Sequence, residues 1–411
     1  MPALSKSMII LGLSLLILLI YACPKPEDED PNPYAQVNID WPSLADTPWP
    51  MIGHDPQGTN RTNITGVKTV AGFDFISHDY YFQSPIVLDD EGGVLRIASE
   101  GDSCKLVRFG EANWSLAIDK DLSSISAVTV GANDVTYIPG GEAVWAISTS
   151  THEVLWHHPV KRFASNLTPG LHDDLYFFAG DRDSLDLISL QIDGAERWQL
   201  PMPNVSFLPS TLVLSPDGER IYLSEDDGIS AISRDGISLW KYLLEDRVFH
   251  VLVDNAGNIY GYPLDNGSIV SLSANGDLRW ELFLGDIGLT KVESTISPTM
   301  DFNGNVYFSA IDTSQSRGVV SIDNTGAFRW FARIPTATDL IVDGNNFIYF
   351  SGYSEENYVL HIGALSSAGT TVWQLEVEGT SDLVIASPVI NSNGEIYYPL
   401  KGLNNQVLWV Y

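Results

Sequence analysis

After its first two dozen residues the chain becomes a succession of short apolar runs broken by glycine, asparagine and aspartate, and no run sustains a helical period. Residues 250–284, HVLVDNAGNIYGYPLDNGSIVSLSANGDLRWELFL, show the pattern. VLV, IYGYP, IVSLS and LRWELFL are rich in β-branched and aromatic residues and are separated by NAGN, DNG and ANG. Runs of this length between such breaks predict four consecutive strands joined as hairpins. Tight hairpin turns need positive φ, which glycine and asparagine tolerate.

The unit repeats. QIDGAERW (191–198), SRDGISLW (233–240), SANGDLRW (273–280), IDNTGAFRW (322–330) and SSAGTTVW (366–373) all end on tryptophan. The full series is Trp114, Trp156, Trp198, Trp240, Trp280, Trp330 and Trp373, at spacings of 42, 42, 42, 40, 50 and 43 residues. A period of this length marks a repeat architecture, and four strands per period make a propeller blade. Residues 385–411 add three strands, and TGVKTVAGFDFIS (65–77) is expected to supply the missing outer strand. The expectation is an all-β, eight-bladed β-propeller of four-stranded antiparallel blades, with seven blades as the fallback. Closing the ring with N- and C-terminal strands removes exposed edges. The seven tryptophans are expected to fill the wedges between blades, so that Trp240→Ala costs about 3–5 kcal/mol. Trp41 and Trp49 lie outside the repeat and are expected to matter less.

AISTSTHEVLW (146–156) and AISRDGISLW (231–240) resemble the tryptophan-docking repeat of pyrroloquinoline quinone (PQQ)-type propellers, and WPMIGHDPQGTNRT (49–62) resembles the opening segment of many such proteins. The resemblance spans residues 49–411 and implies the fold. The quinone-dependent alcohol dehydrogenases of that superfamily use a vicinal disulfide, a calcium ion and a catalytic aspartate. This chain contains no Cys-Cys pair, and their calcium ligands cannot be placed on it, so no cofactor is expected. The architecture is also similar to that of the eight-bladed lipoprotein of the outer-membrane β-barrel assembly machinery, although no motif here carries over its partner-binding residues.

The N-terminus reads as an export signal. Lys6 precedes the apolar run MIILGLSLLILLIYA, and Cys23 follows Ala22. Such a run is short for a bilayer span and suits a signal-peptide core. LIYAC resembles a bacterial lipobox, which makes Cys23 the expected lipidation site; an ordinary secretory signal is the alternative. The expected organisation is a signal peptide at 1–22, an acidic, proline-rich tether at 23–48 and a propeller at 49–411. PKPEDEDPNP (24–33) cannot build a core and stays extended. Pro24 is not the aspartate that would signal inner-membrane retention, so the expected location is the outer membrane, on its periplasmic or surface face. With Cys23 acylated, Cys104 has no disulfide partner and the body must be held by its core.

A net charge of −30 repels nucleic acid and anionic headgroups, leaving the anchor as the expected membrane contact. DDEGG (89–93), DNAGN (254–258), DFNGN (301–305) and NSNGE (391–395) look like calcium loops, but the bidentate acid at the twelfth position is missing or falls beyond a strand, as Asp312 does. Turns between strands account for them, and no metal is expected. His54, His78, His152, His157, His158, His172, His250 and His361 form no metal motif, and scattered serines, histidines and aspartates do not by themselves define a triad.

Two function classes remain. One is a non-catalytic, monomeric scaffold that binds an envelope protein or a glycan. The other is an enzyme working in the central channel, quinone-dependent or a carboxylate-based lyase or hydrolase. For the first, loops on a rigid scaffold are where binding residues concentrate, and arginine and aromatics suit hot spots. The connections between blades, and between second and third strands, carry Lys161, Arg162, Arg247, Phe249, Lys291, Arg333 and Tyr353 as a candidate interaction face. Charge reversal at Arg234 and Arg279, on the other side, is expected to leave partner capture unchanged. Cys23→Ser is expected to move the folded protein from the membrane to the soluble fraction; a wild-type chain that metabolic palmitate-analogue labelling fails to mark would remove the lipidation.

Overall fold

The apolar runs form strands where their lengths predicted them. In the unit at 250–284 these are Val248–Val253, Ile259–Pro263, Ser268–Leu272 and Leu278–Phe283. The computed structural model describes residues 32–411 except 77–80, 83, 101–102, 111–112, 119–126, 162–163, 182–183, 204, 206–211, 245–247, 264–266, 294–295, 336–338, 355–358, 378–382, 385–386 and 402–405. Cys23, Arg162 and Arg247 lie outside the described residues, as does the side chain of Phe249.

The chain divides into two units, Met1–Ala35 and Gln36–Tyr411. In the first, the Asn32 side chain and carbonyl accept hydrogen bonds from the amides of Tyr34 and Ala35. The second is an eight-bladed propeller of antiparallel sheets. Blades 1 to 7 occupy residues 81–117, 129–159, 168–202, 213–243, 248–283, 289–333 and 341–377. Blade 8 combines strands from 383–410 with Phe73–Ile76, whose Phe73 pairs opposite Val410 and Ile76 opposite Val407. The termini therefore share one sheet. The second unit begins at Gln36, ahead of the boundary expected at residue 49, because Trp41 and Ser43 are buried on the ring.

The core lies between blades rather than within them. Tyr137, Val144 and Ala146 of blade 2 pack on Leu167, Leu175 and Phe177 of blade 3, and equivalent clusters join the other neighbours. A second strand such as Asp174–Asp181 is covered on both faces and reads as a nearly continuous apolar run. An outer strand such as Val154–Pro159 alternates between exposed and half-buried positions.

Each docking tryptophan reaches across to the next blade. The indole N–H of Trp156 donates to the Ile192 carbonyl at 3.0 Å, Trp198 to Arg234 at 2.9 Å, Trp240 to Ala274 at 3.1 Å, Trp280 to Asn324 at 2.9 Å and Trp330 to Ser367 at 3.0 Å. Every acceptor lies in the hairpin turn of the following blade. The turn glycine rests on the indole face: Gly276 has φ +85°, and a Cβ there would lie 2.6 Å from Trp240. Trp114 instead meets His152, which takes the left-handed conformation at φ 62°, with ring centroids 4.2 Å apart. Trp373 donates to the Val67 carbonyl at 2.8 Å, so the stretch leading into the closing strand replaces a turn.

These indoles are half-buried, whereas Trp49 and Trp41 are 1% and 4% exposed. The burial reverses the ranking expected from the repeat, because the N-terminal segment carries both onto the blades, Trp49 into a cluster with Leu88 and Trp41 into one with Leu214. Gly276→Ala is expected to cost about 1–3 kcal/mol, since the alanine must hold a left-handed φ while displacing an indole. Trp49→Ala should cost at least as much as Trp240→Ala. Chemical denaturation checks both, and a Trp240→Ala variant as stable as wild type would refute the docking role.

Candidate functional site

The innermost strand of each blade has no partner on its axial side, so its backbone groups need one. Among the described residues, six blades find it in the segment resembling the family's opening motif. Leu88 donates its amide to the Trp49 carbonyl at 2.8 Å, Val130 to Pro50 at 2.8 Å, Leu214 to Pro56 at 2.7 Å, Val253 to Gln57 at 3.1 Å, Met300 to Thr59 at 3.2 Å and Val342 to Asn60 at 2.9 Å. A segment bonded to the inner strands of blades 1, 2, 4, 5, 6 and 7 lies on the axis. It plugs the channel at the end that carries the turns between first and second strands.

Two charged residues set its shape. Asp55 accepts from the amides of Gln57 and Thr59 at 3.0 and 3.2 Å and from the Thr59 hydroxyl, folding 55–59 into a tight loop. His54 approaches its carboxylate to 3.7 Å, as an electrostatic neighbour. Burial pushes the Asp55 carboxyl up, but the neighbouring His54, Thr59 and Arg61 hold it below its ordinary value. Arg61 is fully buried; it donates to the carbonyls of Asp301 and Val37, both at 3.3 Å, and lies 4.6 Å from the centre of the Phe302 ring. Burial pulls its guanidinium below the usual arginine value, against Asp55 and Asp301, which favour the charged form.

Before this segment the chain passes round the same end: Gln36 bonds Phe302 and Asn255, Ala45 donates to Val130, and the Thr47 hydroxyl donates to the Leu88 carbonyl. The two passes enclose a cup of about 750 Å³. Its walls are built from residues 38–64 of the N-terminal segment together with the blade 1 turn at Asp90–Gly92 and Ser392.

The other half of the axis is lined where inner strands begin. The Ser297 hydroxyl lies 3.3 Å from His250 Nδ1, and Asp339 accepts from the Ser297 amide and the Ser387 hydroxyl, both at 2.5 Å. The four residues come from blades 5 to 8, and His250, Ser297 and Asp339 are each partly exposed. Burial pulls the His250 imidazole down, against the pull of Asp339. Sequence reasoning missed this grouping because the four are scattered over some 140 residues of chain.

The calcium-like loops serve as turn caps. Asp254 accepts from the amides of Ala256 and Asn258 at 2.9 and 2.8 Å with one oxygen, and from the Tyr260 hydroxyl at 2.9 Å with the other. Asp301 repeats this with Asn303, Asn305 and Tyr307. Burial first, then the adjacent aspartate, pushes the phenols of Tyr260 and Tyr307 far above their ordinary value. Asp312 binds Arg333 instead, at 2.7 Å. Among the described residues, no three acidic, histidine or cysteine side chains converge on a metal position.

A family profile described as outer membrane protein assembly factor BamB matches residues 193–398, half of the chain. The chain belongs to the PQQ-like β-propeller family. BamB from Moraxella catarrhalis is similar in structure, with TM-score 0.53 and 15% identity, covering 83% of this chain and 98% of that one. A streptogramin B lyase gives TM-score 0.50 at 13% identity over 83% and 97% of the two chains. The WD40 domain of SCAP from fission yeast gives 0.53 at 11% over 82% and 98%. At these identities the likeness is one of fold. No curated protein matches the sequence.

On this PQQ-like propeller the expected interaction face is dispersed. Lys291 and Arg333 belong to blade 6 and Tyr353 to blade 7, whereas Lys161 follows blade 2, on the opposite side of the ring. Lys161 and Lys291 are exposed and Tyr353 is half-buried. Arg333 is tied to Asp312, and Lys291 sits on the first piece of an inner strand, Leu289–Val292. Arg234 and Arg279, the expected bystanders to partner capture, both tie blades together. Arg234 donates to Asp174 of blade 3 at 2.7 Å, and Arg279 to Asn324 of blade 6 at 2.6 Å. The arginine-tryptophan pairs at 197–198, 279–280 and 329–330 were the available signal.

Proposed function

We propose that this propeller is a lipid-anchored scaffold at the bacterial outer membrane that binds another envelope protein or a glycan. The observation that carries the proposal is the plug: residues 49–60 bond the inner strands of six blades, so the chain's own backbone fills one end of the axis. Membership of a family described as an outer-membrane assembly factor supports the same reading. Lipidation at Cys23 would hold the body near the membrane, and 24–33 would let it turn toward partners. On the connection face, Lys291 and Tyr353 on adjacent blades are the described candidates for contact. Lys291→Glu combined with Tyr353→Ala is expected to abolish crosslinked capture of an envelope partner at an unchanged melting temperature. Capture as strong as wild type would remove blades 6 and 7 from the interface, and Lys161→Glu tests the opposite side.

A second reading, an enzyme in the channel, draws on one specific observation: Ser297 beside His250 and Asp339. A neutral imidazole next to a serine hydroxyl can act as general base for a nucleophile. This reading expects a fluorophosphonate probe to label the wild-type chain and not Ser297→Ala. An unlabelled wild type would leave the scaffold reading alone.

A further inference from the structure

We propose that the cup enclosed by residues 38–64 binds a lysine- or arginine-bearing peptide segment. This goes beyond the connection-face reading in naming a second surface and its ligand chemistry, and it rests on that reading only in treating the protein as an interaction module.

The cup's size is within the usual range for ligand sites, a few hundred to about 1,000 Å³. Its charged lining is one-sided. Asp40, Asp46 and Asp90 are exposed at it, the buried Asp55 carboxylate underlies it, and no lysine or arginine lines it. Glu91, also at the wall, is neutralised in part by Arg108 at 2.9 Å. The chain's net charge of −30 adds a long-range field of the same sign. Because no three of the described acidic groups converge on a metal position, the fitting cation is an extended organic one. The remaining wall is apolar, with Ile39, Leu44, Pro48 and Ile64 facing the same space. An aliphatic stem ending in ammonium or guanidinium complements such a site by laying methylenes on the apolar wall and its head among carboxylates.

A second observation separates a peptide from a free amine. Trp41 lines the cup, is 4% exposed, and its indole N–H has no hydrogen-bond acceptor among the described residues. A buried donor left unsatisfied costs free energy that an acceptor would recover. A polyamine has no acceptor to offer, whereas a peptide brings a carbonyl with every residue.

The test uses full-length protein in detergent, titrated at low salt with pentalysine amide and, separately, with spermidine. Pentalysine is expected to bind wild type, with affinity falling as salt screens the carboxylates. The triple variant Asp40→Asn, Asp46→Asn, Asp90→Asn should weaken it at least about tenfold at an unchanged melting temperature, tenfold corresponding to about 1.4 kcal/mol. Neutralising Glu153, Asp277 and Glu376 on outer turns and strands should leave it unchanged. Trp41→Phe, which keeps an aromatic ring and removes the donor, should weaken pentalysine several-fold and leave spermidine as it was. Equal losses in the two triple variants would reduce the effect to diffuse charge and overturn the site. Spermidine binding as tightly as pentalysine, or Trp41→Phe without effect on the peptide, would overturn the peptide assignment. If capture by the connection face still depends on Lys291 and Tyr353, failure here leaves the scaffold reading standing.

Discussion

An indole that grows from one blade and bonds the turn of the next ties blades 2 to 7 in succession. No blade buries its own faces: a four-stranded sheet in isolation would expose both, and the apolar clusters form only across blade boundaries. The Trp–carbonyl bond, with a glycine against the ring face, fixes how far apart two blades sit on the outer side. A second layer of ties runs beneath it, from the capping aspartate through a buried tyrosine hydroxyl to the arginine that precedes the tryptophan. Such a chain of pairwise bonds must either end in an exposed interface or close on itself. It closes, because Trp373 finds Val67 and blade 8 borrows its outer strand from the N-terminus.

Closure creates the next problem. A ring of blades points eight unpaired inner edges at one axis, and unpaired backbone groups there are costly. The plug answers six of them with its own carbonyls, and this places a buried arginine near the axis, steadied by carbonyls, an aromatic face and the distant charges of Asp55 and Asp301. Because the plug arrives by a second pass of the same chain, the space between the passes becomes the acidic cup. The cup is a by-product of how the ring is sealed. Its chemistry comes from a stretch ahead of the first blade whose sequence shows no motif of binding.

The strands, their four-fold grouping, the number of blades and the sharing of the last sheet were legible in the sequence, because each follows from interactions that recur at a fixed spacing. A tryptophan every forty-odd residues, a glycine before it and an apolar run on either side need no knowledge of distant contacts. The acidic turn motifs were legible as turns for the same reason, since Asp254 bonds amides two and four residues away. What only the tertiary structure decided lies across the repeat rather than along it. Trp49 and Trp41 became more buried than the docking tryptophans because a non-repeating segment was laid over the inner strands. Arg234 and Arg279 became ties between blades because the ring brings a side chain of one repeat onto the turn of another. His250, Ser297, Asp339 and Ser387 met on the axis although each comes from a different blade. Local periodicity sets the blade, since its bonds are short in sequence; the axis gathers one position from every repeat, and no local pattern records which side chains will face one another there.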